Sequence, residues 1–446
     1  MSSYAGLIDK HGTSAAPLHR IAATQVAASL MQAQAVAPPN GLAALFNEAA
    51  PPRPYASTAT AARRLLVEGW RGISHSFAMV NQHQLLALRR LGSVDLYHHD
   101  MPFFMTHWNK LDTGAGFAPE QTAFIEGLPP LDATQADTVY RICAPLQPPE
   151  KRTRRTVTFA VTEFGLTDRS FTDLAVPLSA YTDGGNLVVT PSRWSRDRLI
   201  DRGFAEPGVR VVRHGVDRDL YSPMVAAERR ANRNAIGIRD DETVFLNVGL
   251  PAWNKGIDLL VHAFAIARLS QLRCRLILKD AQKLYGLGAE QVLRDLAAQQ
   301  PELVTADVIG AISVVGGNMS LAELRLLFGV ADWYVSPYRA EGFNLPVLEA
   351  LACGTPVIVS SGGATDDFCH GPAVHKVPSI FKRAVVRDHP GACLLEPHLP
   401  SLVELMENAA RGGPLHDPEH QLRTDAREAS AGWTWDEAAR DLLPLI

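Results

Sequence analysis

From residue 63 onward, short apolar runs alternate with stretches whose apolar residues recur at helical spacing. RLLVEGW reads as a buried strand, RGISHS as a glycine-containing turn, and FAMVNQHQLLALRRLG as a helix with a glycine stop. DLYHHD, DTVYRICAPL, TVTFAVTEFG and NLVVTPS are further strand candidates, joined by helical or irregular connections. The second half repeats this logic: TVFLNVGL predicts a strand, KGIDLLVHAFAIARLS an amphipathic helix and RCRLILKD a strand. SLAELRLLFGVA predicts a helix opened by a capping box, with Glu323 three residues after Ser320. DWYVSP, PVLEALAC and TPVIVSS then read as strand, helix and strand. Such alternation predicts parallel βαβ units. The charged, proline-containing stretch DRDLYSPMVAAERRANRNA interrupts the pattern and places a domain boundary near residues 218–240. GWTWDEAARDLLPLI predicts a closing helix with Trp433 and Trp435 at its entrance.

Residues 1–62 differ. They are rich in Ala, Ser and Pro, with PP at 38–39 and 51–52, and read as a loosely ordered extension. An alanine-rich helix is expected within it, from about His19 to Ala37. The length, 446 residues, exceeds one ordinary core and implies two domains. A net charge of -4 offers no global reason for nucleic acid binding. No apolar run is long enough to span a bilayer. MSSYAGLIDKHGTS lacks a basic start followed by an apolar core, so no secretory leader is expected. The five cysteines are scattered without a C-x-x-C pair and read as reduced thiols in a cytoplasmic protein.

Candidate chemistry concentrates in ADWYVSPYRAEGFNLPVLEALACGTPVIVSS. A strand ends at Ser336-Pro337, and a loop carries Tyr338, Arg339, Glu341, Gly342, Phe343 and Asn344. A helix begins near Pro346 and stops at Gly354. The loop therefore lies beyond the carboxyl end of a parallel strand, where open α/β sheets bind ligands. Backbone N–H groups from Gly342 to Val347 are expected to face an anion. Glu349 sits among apolar helix residues, where a carboxylate is costly to bury unless something binds it. It reads either as an acceptor for ribose hydroxyls or as half of a buried salt bridge. Glu341 reads either as a sugar contact or as a solvated loop position.

E-G-F-N-L-P-V-L-E, with seven residues between its glutamates, resembles the E-x7-E signature of family-4 retaining glycosyltransferases (glycosyl transferases group 1). The similarity continues through ALACGTPVIVSSGGATDDF. Upstream, VVTPSRWSRDRLIDRGF and VRVVRHGVDRDLY resemble that family's strand, helix and NGVD turn, with His214 replacing Asn. VGLPAWNKGIDLLVHAFA resembles its phosphate-binding strand-turn-helix, and GWTWDEAARDLL its closing helix. The resemblance covers roughly residues 64–446 and is dense between 187 and 368.

It implies a GT-B fold, two Rossmann-like domains facing each other across a cleft. The expected division is 63–225 for the acceptor domain, 226–430 for the nucleotide-sugar donor domain, and 431–446 for a helix crossing back. It implies a retaining transferase that moves a hexose from a nucleotide diphosphate sugar to a glycan or lipid-linked acceptor in cell-surface glycan synthesis. No metal and no further cofactor are expected; Asp366-Asp367 is not spaced as a metal-binding D-x-D, and adjacent His98 and His99 cannot chelate one ion. Lys255 is expected on the donor diphosphate, with Glu341 and, more weakly, Glu163 at the reaction centre. Gly249, Asn254, Arg193, Gly342, Phe343, Asn344, Leu345 and Glu349 complete the expected donor site. Gly72, Ser74 and His75 are expected on the acceptor side. Leu250 stands where the family usually has a second phosphate-binding cation, an arginine. KRTRR at 151–155 with Arg193, Arg196, Arg198 and Arg202 reads as a solvated basic surface, or as a peripheral contact with anionic lipid. A same-fold epimerase or phosphorylase, or a non-catalytic nucleotide-sugar binder, are the competing readings.

Overall fold

The computed structural model describes residues 19–22, 63–111, 114–386, 389–417 and 419–446. Two all-parallel sheets organise them. The first has the order β3-β2-β4-β5-β6-β7. Its strands are β2 (Arg63–Gly69), β3 (Val94–Asp100), β4 (Thr138–Ile142), β5 (Thr156–Phe159), β6 (Leu187–Thr190) and β7 (Val209–Val211). The second has the order β1-β10-β9-β8-β11-β12-β13. It comprises β1 (His19–Ala22), β8 (Thr243–Val248), β9 (Cys274–Lys279), β10 (Ile312–Gly316), β11 (Trp333–Ser336), β12 (Val357–Ser360) and β13 (Val374–Val377). Every residue of β4, β5, β11 and β12 is buried, because helices cover both faces of each sheet.

In both sheets the strand order reverses once. In the first the reversal falls between β2 and β4, and in the second between β8 and β11. Such switch points open a crevice beyond the carboxyl ends of the strands. The turn after β2 and the loops after β8 and β11 therefore face a common space.

β1 overturns part of the expectation for the N-terminal extension. His19 to Ala22 pair in parallel with Ser313 to Gly316, so an alanine-rich helix does not begin there. The edge of β10 presents a row of unpaired backbone groups, and pairing with them outweighs the helix preference of alanine. The rest of that expected helix, and of the extension, lies outside the described residues.

The stretch expected to interrupt the pattern is itself structured. Ala226–Ala235 is a helix that buries Arg229 and Arg233. Both guanidinium groups pair with buried Asp332, at 2.6 and 3.0 Å. Part of the polar composition thus belongs to an internal ion network. An antiparallel hairpin, β14 (Ser379–Val386) with β15 (His389–Pro397), also escaped the periodicity reading. It leans on the first domain: Cys393 N–H donates to Phe164 O, and Phe381 packs edge-on against Trp194.

The last helix, Trp435–Leu442, packs on Ser76–Leu91 in the first domain's core cluster through Trp435, Ala438, Ala439 and Leu442. The Trp435 ring stacks on His83 at 4.8 Å. Gly215 is required for this return crossing, since a Cβ there would lie 2.2 Å from Thr434 C and Trp435 N. All five cysteines are buried free thiols.

Candidate active site

The space between the two switch points is a cavity of about 610 Å³ lined from both domains. Ser74, His75, Thr162 and Glu163 reach it from the first domain. Gly249, Leu250, Asn254, Lys255, Glu341, Gly342, Phe343, Asn344, Leu345 and Glu349 reach it from the second.

Lys255 is its electrostatic centre. The turn Trp253–Lys255 ends at Gly256, whose φ of 71° starts the helix Ile257–Leu269. A Cβ at Gly256 would come within 2.0 Å of Pro337 O, so only glycine lets the turn press against the end of β11. The ammonium then lies 2.5 Å from Glu163 Oε1 and 2.8 Å from Glu341 Oε1. Burial would lower the lysine pKa, but the two carboxylates more than reverse this and hold it above its usual value. Burial raises the Glu341 pKa, opposed by Lys255 and reinforced by Glu163. Asn254 donates to Glu163 Oε2 at 2.8 Å, so both oxygens of Glu163 are engaged.

Arg339 fixes the loops to each other. It grips Asp258 through two bonds of 2.7 and 2.8 Å and donates to Trp253 O. Its own N–H donates to Asn254 O. The sequence placed Arg339 in the loop without this bracing role, because its partner is distant along the chain.

Glu349 lies in the helix Leu345–Ala352, and burial raises its pKa to about 7. The Tyr221 hydroxyl faces it and slightly offsets that rise, without reaching good hydrogen-bond geometry. No cation pairs with Glu349 among the described residues, so the buried-salt-bridge reading is set aside. Asn344 caps the helix in a left-handed conformation, φ 77°, and donates to Ser336 Oγ at 3.0 Å. The expected row of free amides is shorter than the sequence suggested. Pro346 has no N–H, and the Val347 N–H donates to Asn344 O at 3.1 Å.

On the first-domain wall, His75 caps the helix Ser76–Leu91 by accepting from Phe77 N–H at 3.2 Å. Burial pulls its pKa down to about 4. The ring is therefore neutral near pH 7, with its hydrogen on Nε2. It sits 4.9 Å from the Trp108 ring and 6.1 Å from Tyr285 of the opposite domain. Gly72 does not line the cavity. Its φ of 76° forms the turn, and its N–H donates to Gln82 Oε1. His83 and His214 also line the cavity, each pushed down to about 3 by burial and hence neutral.

Arg193, expected in the donor site, is likewise not among the residues that line the cavity. Its guanidinium and its backbone N–H both engage Asp367, at 2.9 and 2.8 Å, bracing one domain against the other. Arg152, Arg196, Arg198 and Arg202 pair with Glu150, Glu206, Asp201 and Asp168, so much of the expected basic surface is internally neutralised. A second cavity of about 560 Å³ lies across the segment Phe164–Gly165, lined by Arg198, Arg202, Arg383 and His389. It contains none of the expected site residues. Among the described residues no helix is long and apolar enough to cross a membrane.

The sequence of the second domain carries a family match. Residues 228–371 match the glycosyl transferases group 1 family. That segment holds Gly249, Lys255, Glu341 and Glu349. D-inositol 3-phosphate glycosyltransferase of Stackebrandtia nassauensis is 30% identical over 264 residues, 57% of this chain and 52% of the relative. The enzyme of the same name from Thermobispora bispora is 36% identical over 179 residues, 39% of this chain and 40% of the relative. The matches thus span about half or less of these relatives' length. Among solved structures, a glycosyltransferase from Rickettsia africae superposes with a TM-score of 0.59 at 11% identity, covering 86% of this chain and 98% of its own. Anabaena HepE with UDP-glucose gives 0.55 at 16% identity, covering 86% and 100%. The chain therefore has the GT-B fold, two Rossmann-like domains facing each other across a cleft.

Proposed function

We propose that the chain transfers a hexose, with retention of configuration, from a nucleoside diphosphate sugar to a neutral hydroxyl of a glycan or glycolipid. The observation that carries this reading is the convergence of Glu163, Lys255 and Glu341 from both domains on one ammonium. In the transfer, the acceptor oxygen bonds to the anomeric carbon as that carbon's bond to the diphosphate oxygen breaks. The bonding pair leaves with the diphosphate, whose oxygen takes the hydroxyl proton. Lys255 stabilises the charge growing on that oxygen, an electrostatic role prepared before the reaction. Glu349 accepts ribose hydroxyls, and Glu341 those of the sugar. Glu163 is bonded by both oxygens, which favours a positioning role over that of a base.

Curated relatives are named for inositol phosphate. Here the first-domain wall offers Ser74, His75, Ser76, His83, Thr162, Glu163 and His214, with no lysine or arginine among the described residues. A phosphorylated acceptor would lack a charge partner there, which supports a neutral one. HepE was solved with UDP-glucose, so UDP sugars are the first donors to test. The reading includes no metal.

The test is nucleotide release from UDP, GDP and ADP hexoses across an acceptor panel, with the product linkage read by NMR. Retained configuration, unchanged by a chelator, supports the proposal. An inverted linkage, an epimerised free sugar, or turnover lost to chelation and restored by Mg²⁺ overturns it. Leu250 favours a second reading, a binder without catalysis. Calorimetric donor binding without turnover on every acceptor would select it.

A further inference from the structure

The charge inventory of the cavity is unbalanced for a diphosphate ligand. Among the described residues, its lining contains four carboxylates, Glu163, Asp280, Glu341 and Glu349, and two lysines, Lys255 and Lys279. Lys255 already faces two carboxylates, so that triad presents no net positive charge to an incoming anion. Leu250 adds only apolar surface.

Lys279 stands beside the same turn. It ends β9 in register with Val248 of β8, and its carbonyl accepts the Gly249 N–H at 2.9 Å. That bond ties it to the Gly249-Leu250 turn that leads to Lys255. Its ammonium donates to Asp280 O, a neutral carbonyl, at 2.5 Å. No carboxylate lies within ion-pair distance of it among the described residues. The adjacent Asp280 carboxylate is occupied by the backbone N–H groups of Gln282 and Ala289. An ammonium carries three donors, so two remain for a ligand. Burial lowers the Lys279 pKa, and the neighbouring Asp280 charge only partly opposes this. Retaining such a cation in a cavity wall is costly unless an anion compensates it.

We propose that Lys279 is a diphosphate-binding residue, supplying the positive charge that Leu250 cannot and that Lys255 has largely spent on Glu163 and Glu341. The assignment rests on the reading of the donor as a nucleoside diphosphate sugar. It makes Lys279 a ground-state anchor for the phosphates, while Lys255 bridges the domains at the reaction centre. A purely structural Lys279 would only hold the Asp280 carbonyl and the loop after β9.

Calorimetry with UDP, GDP and ADP, and with the matching nucleosides, separates these roles. Lys279→Met should weaken the diphosphate that wild type binds by roughly 10- to 100-fold, the range for one lost charge-assisted hydrogen bond. Affinity for the nucleoside should be unchanged. Adding Leu250→Arg to Lys279→Met should restore much of the diphosphate affinity, which a structural role would not allow. Lys279→Arg keeps a cation and should bind near wild type, even where Lys279→Met folds poorly. Equal loss for nucleoside and diphosphate, wild-type diphosphate affinity in Lys279→Met, or loss in Lys279→Arg would overturn the assignment. If wild type binds none of the three diphosphates, the donor reading falls first and this assignment with it.

Discussion

The Lys255 ammonium of the second domain sits 2.5 Å from the Glu163 carboxylate of the first. One side chain thereby links the cleft walls and marks the point where a leaving group would acquire charge. Lys255→Ala removes that charge and leaves Glu163 and Glu341 facing each other without a cation. Turnover should fall by ~10²–10³, as for loss of one preorganised stabilising group. The melting temperature should fall as well. Adding Glu163→Gln should recover the melting temperature, by relieving the repulsion, without recovering turnover. Near-wild-type turnover in Lys255→Ala would remove it from the site.

Local signals made the second-domain half of this site legible. A strand, a loop with Glu341, a proline at a helix start and Gly354 at its end occupy consecutive positions, so periodicity and turn chemistry were enough. Lys255 came from the resemblance of VGLPAWNKGIDLLVHAFA to a phosphate-binding strand-turn-helix. What escaped notice depends on partners far along the chain. Arg193 resembles a free phosphate ligand until Asp367 is brought beside it. Arg339 shows its bracing role only once Asp258 is placed. Lys279 looks like any strand-end lysine until the cavity forms around it. The pairing of His19–Ala22 with β10 leaves no trace in alanine-rich composition.

Glu349 predicts a pH dependence of definite sign. Burial raises its folded pKa to about 7, against about 4.3 for an unperturbed glutamate. Between these values the folded chain holds a proton that the unfolded chain has released. Stability from this group is therefore fully present below about pH 4.3 and is lost as pH rises through about 7, at no more than about 1.4 kcal/mol per pH unit. Glu349→Gln should flatten this slope and match or exceed wild-type stability at pH 8, read by urea denaturation across pH. The same substitution should weaken nucleotide binding most above pH 7, where the wild-type carboxylate is ionised to accept ribose hydroxyls. An unchanged slope would show that Glu349 keeps an ordinary pKa.

Gly256 tests whether backbone geometry sets the position of Lys255. At φ 71°, alanine pays roughly 1–2 kcal/mol for the left-handed conformation alone. Its Cβ would also lie 2.0 Å from Pro337 O, so the turn must move away from β11. Gly256→Ala should lower both the melting temperature and turnover, and turnover should fall further than diphosphate affinity. A crystal structure of the variant with Lys255 still between Glu163 and Glu341 would contradict this.

Asp332 predicts the largest loss of stability outside the cavity. Its carboxylate is fully buried and pairs with Arg229 and Arg233, while Arg423 lies 3.9 Å away. Backbone N–H groups of Val244 and Leu415 complete its bonds, both at 2.7 Å. One anion thus holds three buried guanidinium groups together, and burial with mutual repulsion lowers the Arg423 pKa to about 9. Asp332→Ala removes the only carboxylate partner of Arg229 and Arg233 among the described residues. Breaking a buried pair in this way costs about 3–5 kcal/mol, because the remaining charges stay desolvated. Asp332→Asn keeps part of the hydrogen bonding but not the charge, and should fall between alanine and wild type. Urea unfolding gives the measurement, with diphosphate affinity per folded molecule as the control. Since Asp332 lies outside the cavity lining, that affinity should not change; a loss of less than about 1 kcal/mol in Asp332→Ala, the scale of an exposed pair, would mean that the network is hydrated rather than buried.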